Sequence, residues 1–319
     1  MGTTLRPDRG VRGPERPTLR DVDALNRVFS EAFTDRYTRD GLSGVRVPHL
    51  NPLVWRYAIE DAGEGAMVWR DADGGIAGFN MVHRSGAEGW MGPIAVRPDL
   101  QSEGLGTAMV RAGIDWLQAK GATTIGLETM PRTVENIGFY SRLGFVPGHL
   151  TVTLIRDLSN APELAAERLS VGTPDRALEE CRVLTHELAP GVDFTRELAL
   201  THELALGDTA LVRRHDALTG FVLWHSAALA AARPRDELRV LKIVARDLET
   251  FRELVDVVQG VAERERVRRV SIRCQTRFAA GYLQLLSQGF RVHWTDLRMT
   301  LSDRPEPEMR GVVMSNWEI

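Results

Sequence analysis

After Val96 the chain reads Gln101, Ser102, Glu103, Gly104, Leu105, Gly106, Thr107, Ala108 and then runs into a helix-like stretch. Residues of this kind can cradle an anion. Gly104 and Gly106 let backbone N–H groups turn inward with no side chain in the way, and a helix opening there adds unsatisfied donors and the positive end of its dipole. A pyrophosphate fits such a cradle. In a chain with 29 glycines a glycine pair also arises at an ordinary helix entry, so the loop gains meaning only from its surroundings.

Those surroundings are ordered. Apolar Val22, Leu25, Val28, Phe29 and Phe33 recur at helical spacing from Asp21 to Phe33, and Pro52 to Ile59 gives a second short helix. Ala66–Trp69 and Ile76–Val82 read as strands joined by the Asp71–Gly75 turn. A strand from Gly89 to Val96 leads into the loop. A helix from Gly106 to Lys120, a strand from Thr123 to Thr129, a helix from Val134 to Leu143 and a strand from His149 to Ile155 follow. This order predicts an α/β (α+β) sandwich whose mostly antiparallel sheet becomes parallel at its centre.

The same order returns in the second half. Thr209–Arg213 and Phe221–His225 flank a turn from Arg214 to Gly220. A strand Leu238–Ala245, a helix Phe251–Arg264, a strand Arg269–Cys274, a helix Ala279–Leu286 and a strand Arg291–Leu301 come after it. Gly144 and Phe145 after one short helix match Gly289 and Phe290 after the other. Two tandem copies are therefore expected, residues 1–157 and residues 158–319, joined through Asp157 to Leu169.

Composition excludes several classes. A formal net charge of -3 lacks the concentrated basic surface that phosphate backbones require, so no nucleic acid is expected. Arg264, Arg266, Arg268 and Arg269 alternate with Glu263 and Glu265 and read as a solvated, ion-paired helix face. Cys181, in a helical pattern, and Cys274, in a strand pattern, supply neither a disulfide framework nor a zinc site. No apolar run approaches a membrane span and Met1–Pro17 has no signal-peptide core, so no membrane partner and a cytoplasmic protein are expected.

Taken together, the strand ending Ile94, Ala95, Val96, Pro98, the loop from Gln101 to Gly106, and the short helix carrying Asn136, Phe139, Tyr140, Gly144 and Phe145 resemble the GNAT superfamily of acyl-coenzyme-A-dependent N-acyltransferases. The resemblance covers about Leu19 to Leu154. It implies acetyl-CoA as cosubstrate with no metal. It assigns the pantetheine arm to the backbone of Ile94, Ala95 and Val96, and the pyrophosphate to Gln101, Ser102, Glu103, Gly104, Leu105, Gly106 and Thr107. Asn136 joins the coenzyme contacts, and Tyr140 becomes the acid that protonates the leaving thiolate. Some relatives carry a glutamate early in the strand before the loop, where Trp90 stands here. Glu128 on the adjacent strand is the substitute base, with His83 second. Thr133 stands where many members have Asn, and Glu103 sets a carboxylate beside the expected phosphates.

The second copy has Arg246, Asp247, Leu248, Glu249, Thr250 and Phe251 in place of the glycine loop, and Leu285 where the first has Tyr140. It is read as a degenerate partner that shapes the first copy's pocket. Phe33, Tyr37, Trp55, Tyr57, Trp69, Phe79 and Trp90 are candidate walls for a bulky or cationic amine. The function expected is acetyl transfer to the primary amine of a small molecule by a monomer or homodimer. The alternatives are a non-catalytic acyl-CoA-binding module and an acyltransferase acting on a protein amine. The apolar end, Val312 to Ile319, is expected to dock, either completing a sheet edge or crossing to the first copy with Glu318 or the terminal carboxylate near the acceptor.

Overall fold

The computed structural model describes residues 10–158, 166–169 and 174–317. The first half contains β1 (Arg12–Glu15), α1 (Val22–Arg39), α2 (Pro52–Ala62), β2 (Ala66–Arg70), β3 (Ile76–Ser85), β4 (Glu88–Val96), α3 (Leu105–Ala119), β5 (Thr124–Thr129), α4 (Val134–Ser141) and β6 (Phe145–Asp157). The second contains β7 (Glu167–Arg168), α5 (Pro174–Leu188), α6 (Thr195–Glu203), β8 (Gly207–Arg214), β9 (Ala217–His225), β10 (Glu237–Ala245), α7 (Leu248–Arg264), β11 (Arg269–Gln275), α8 (Ala279–Ser287), β12 (Arg291–Leu301) and β13 (Val312–Ser315). No helix among the described residues is long and apolar enough to cross a membrane.

Local chemistry accounts for the element starts. Asn51 accepts a hydrogen bond from the Leu53 amide and Pro52 takes the first position of α2, while the Asp247 carboxylate caps α7 through the Thr250 amide. One side of α7 is wholly apolar, with Phe251, Leu254, Val255, Val258 and Val261 buried against β8, β9 and β10.

Two readings of the second half need correction. The turn between β8 and β9 spans only His215 and Asp216, at φ 50° and 65°, and not the longer Arg214–Gly220 stretch. Gly220 lies inside β9 because a Cβ there would stand 2.6 Å from Thr250 Cγ2 and 2.8 Å from the Val244 carbonyl oxygen. Helices α5 and α6 add to the expected order; Ala177, Cys181, Leu184 and Leu188 of α5 follow the helical spacing in which Cys181 was expected and are buried.

Among the described residues the sheet has 13 strands in the order β1-β2-β3-β4-β5-β12-β6-β11-β10-β9-β8-β7, with β13 paired to β10. β4–β5 and β10–β11 are its parallel pairs and every other pairing within these strands is antiparallel. β6 and β12 are exchanged between the halves. β6 pairs with β11 from Asp157↔Arg269 to Thr151↔Gln275, and β12 pairs with β5 from Leu297↔Thr129 to Thr300↔Gly126. The two exchanged strands meet at the centre, Arg291↔Ile155 to Leu301↔Phe145. One sheet therefore runs across the whole chain.

Apolar layers cover both faces in each half. In the first, Leu25, Trp55, Phe79 and Met81 pack under α1 and α2, and Val110, Leu117, Ile125 and Leu127 under α3 and α4. The halves also meet in a buried polar cluster. Lys242 lies 3.6 Å from the Glu197 carboxylate, donates to Ser315 Oγ and sits over the rings of Phe194 and Trp317. Burial lowers the pKa of this ammonium and raises those of Glu197, to about 7, and Glu88.

Candidate active site

The parallel pairing of β4 with β5 runs from Glu88↔Thr124 to Met91↔Leu127 and stops. Gly92 and Pro93 then interrupt the register of β4 against β3, after which Ile94, Ala95 and Val96 pair with Asn80, Phe79 and Gly78. Among the described residues, no strand pairs with the other edge of Ile94–Val96. A cavity of about 680 Å³ opens where β4 and β5 part, a size suited to a small-molecule ligand.

The loop after β4 forms one rim. Gln101 Nε2 donates to the Val96 carbonyl at 3.1 Å, folding the loop back onto its strand. Ser102 at φ 66° and Gly104 at φ 91° take left-handed backbone conformations, and α3 starts at Leu105 with no side chain capping its first amides. Gln101, Ser102, Gly104, Gly106 and Thr107 line the cavity, together with Ile94, Ala95 and Val96. Glu103 is exposed and outside the lining, as a carboxylate beside an anion cradle must be. Leu105 is also outside it and packs with Met109 against Met67 and Trp69.

Helix α4 forms a second wall through Asn136, Phe139 and Tyr140. Asn136 Nδ2 contacts Thr129 Oγ1 at 3.4 Å, and Thr133 binds Asp40 on the first helix. Tyr140 is buried, with ring centroids 5.1 Å from Phe139 and 6.1 Å from Phe145, and burial pushes its phenol up to about 12. The group keeps its proton at every physiological pH.

The far end of the cavity is acidic and aromatic. Glu128 is there, accepting from Thr151 Oγ1 and ion-paired to Arg273 and, at 3.4 Å, to Arg298. His83, the second candidate base, is not part of the cavity. It is buried 2.6 Å from the Asp61 carboxylate and stacks on Trp317.

Of the aromatic residues expected around an acceptor, only Phe33 and Tyr37 line the cavity. Trp55, Trp69 and Phe79 are buried in the apolar layers, whereas Tyr57 packs against His225 and Trp90 against Trp317 and Arg298. Two side chains that sequence reasoning missed take their place, Trp294 and Asp296 of β12. The Trp294 ring lies 6.2 Å from that of Tyr37, and its indole N–H donates to Asp296 Oδ1 at 3.2 Å. Nothing local marks these residues, since they reach the first half only through the strand exchange.

The equivalent gap in the second half is closed. β10 pairs with β11 from Glu237↔Arg269 to Val240↔Ile272 and then, beyond Leu241, with β13 from Lys242↔Ser315 to Ala245↔Val312. The chain's own end thus covers the strand edge that stays open on Ile94–Val96. The tail therefore completes a strand edge, one of the two placements expected for it. It also reaches the first half: Ser315 Oγ donates to Glu88, and Trp317 lies 5.4 Å from Trp90. Glu318 and Ile319 lie outside the described residues.

Residues 25–145 match the model of the acetyltransferase (GNAT) family. This stretch is a GNAT domain. The chain is 34% identical over 76 residues to mycothiol acetyltransferase of Clavibacter michiganensis subsp. michiganensis, covering 24% of this chain and 25% of that protein. It is 33% identical over 127 residues to serotonin N-acetyltransferase 2, chloroplastic, of Oryza sativa subsp. japonica, covering 39% and 56%. The chain thus matches a quarter to about half the length of these relatives. A tandem GNAT protein from the clavulanic acid biosynthesis pathway shares the fold across 90% of this chain and 96% of its own, at a TM-score of 0.57 and 14% identity. A GNAT fold is therefore present twice. Among the described residues, no group of three or more His, Cys, Asp or Glu is placed to hold a metal ion.

Proposed function

We propose that this chain is an N-acetyltransferase that moves the acetyl group of acetyl-CoA to the primary amine of a small molecule, in the cytoplasm, at one site in residues 1–157. The observation that carries the reading is the contrast between the halves. The first has a cavity, an open strand edge and a helix entry with glycines, and the second has that edge occupied by β13 and no glycine in its loop. Residues 158–319 serve as a degenerate copy that completes the acceptor wall, so the site is whole within a monomer.

The residues fit the coenzyme. The edge of Ile94–Val96 turned away from β3 suits the amides of a pantetheine arm, and the amides from Gln101 to Thr107 suit a pyrophosphate. The amine attacks the thioester carbonyl, an N–C bond forms, and the tetrahedral intermediate collapses with loss of the thiolate. Tyr140, still protonated, donates to that sulfur. Glu128 spends its carboxylate on two guanidinium groups and a hydroxyl, so its part at the acceptor end is to add negative charge beside an incoming ammonium. A small acceptor is favoured over a protein amine because Phe33, Tyr37 and Trp294 add aromatic surface to the lining of the same cavity. Similarity to a serotonin N-acetyltransferase agrees with an amine of this size.

The test is an amine panel with acetyl-CoA, read as free thiol released. Thiol should appear only when an amine is present. Binding of acetyl-CoA with no thiol released by any amine would instead identify a non-catalytic acyl-CoA-binding module.

A further inference from the structure

The cavity contains a carboxylate that belongs to the other half of the chain. Asp296 lies on β12, is only 15% exposed, and borders the cavity beside Tyr37 of α1, Glu128 of β5 and Trp294 of its own strand. We propose that Asp296 is the acceptor-side base, which holds a small cationic amine with an apolar or aromatic body and removes its proton. This rests on the acetyltransferase reading and names the residue and ligand chemistry of its acceptor end.

Three observations support the assignment. First, Asp296 is less engaged than Glu128. Its Oδ2 accepts from Arg273 Nη2 at 2.8 Å, and the same nitrogen is shared with Glu128, which has Arg298 and Thr151 as well. Second, burial raises the Asp296 pKa and the nearby Glu128 charge raises it further, against the lowering effects of Arg273 and the Trp294 indole. A carboxylate so placed is a stronger base than one in water. Tyr37 responds in kind, its phenol raised by burial and by the Asp296 charge. Third, Phe33, Tyr37 and Trp294 line the same cavity as the two carboxylates, with the Tyr37 and Trp294 rings 6.2 Å apart, which suits an ammonium carried on an apolar body.

The step balances. The ammonium gives one proton to the Asp296 carboxylate, the freed lone pair forms the N–C bond, the C–S bond breaks as the sulfur takes the Tyr140 proton, and the second proton of the former amine nitrogen passes to solvent, so one proton is released per turnover. The Asp296 proton then returns to solvent and Tyr140 is recharged from it.

The experiment compares Asp296→Asn, Asp296→Glu and Glu128→Gln with the parent on the best amine of the panel, with acetyl-CoA thermal shift as the check of folding. Asp296→Asn should keep the thermal shift, lose about 100-fold or more in kcat, and flatten the acid limb of the kcat/KM pH profile. Asp296→Glu should restore that limb. Glu128→Gln should raise KM and keep the limb. Should Asp296→Asn fail the folding check, a missing acid limb in a folded Asp296→Glu overturns the proposal, and a retained one supports it. Turnover by Asp296→Asn within threefold of the parent, or loss of the limb in Glu128→Gln alone, overturns it. A parent that acetylates no amine removes the acetyltransferase reading and this one with it. A parent that works with an unaffected Asp296→Asn removes this one alone.

Discussion

Tyr140 shows what a single residue's position could and could not disclose. Its place before Leu143, Gly144 and Phe145 put it on a short helix beside the glycine loop, and in the structure it borders the cavity with both. Its burial was not legible, and burial is what holds the phenol at about 12. Tyr140→Phe should leave acetyl-CoA binding within about twofold and lower kcat about 100-fold, measured by thermal shift and by thiol release. Asp296 and Trp294 were beyond reach of any local pattern. They sit in an ordinary strand, and only partners more than 140 positions away in the sequence make them part of the site.

At the scale of elements, strands and helices with a strong apolar period were readable, and the failures have physical causes. Gly220 looks like a turn residue and is in fact a close-packing residue under α7. α5 is amphipathic with many charges on its solvent face, which hid its buried stripe. The loop before α3 depends on backbone shape, with Gly104 at φ 91° where a β-branched side chain is strained. Gly104→Val should cost about 1–3 kcal/mol in a urea melt. It should also weaken acetyl-CoA binding about tenfold or more by moving the α3 amides. Gly41, at φ 80° with open space around it, is the control: valine there should cost a similar stability and leave binding unchanged.

The whole molecule is where the sequence was least informative. A repeat in the chain looks the same whether its final strands stay home or exchange, because both arrangements bury the same faces. The register settles it, since β6 lies between β11 and β12, and β5 has β12 for a neighbour. Residues 1–157 expressed alone should therefore fail to fold, with β5 and both edges of β6 unpaired, and co-expression with residues 158–319 should restore a folded complex on size-exclusion chromatography. Lys242 ties the halves to the tail, and Lys242→Ala leaves Glu197 buried without its cation. A loss of about 3–5 kcal/mol in urea unfolding is expected.

The central claim is one coenzyme site per chain, in the first half, because the equivalent gap in the second is filled by Val312–Ser315. Calorimetric titration of the full chain with acetyl-CoA tests it directly. The account predicts one molecule bound per chain, with binding weakened by Gly104→Val. Two molecules bound per chain, or none, would contradict it.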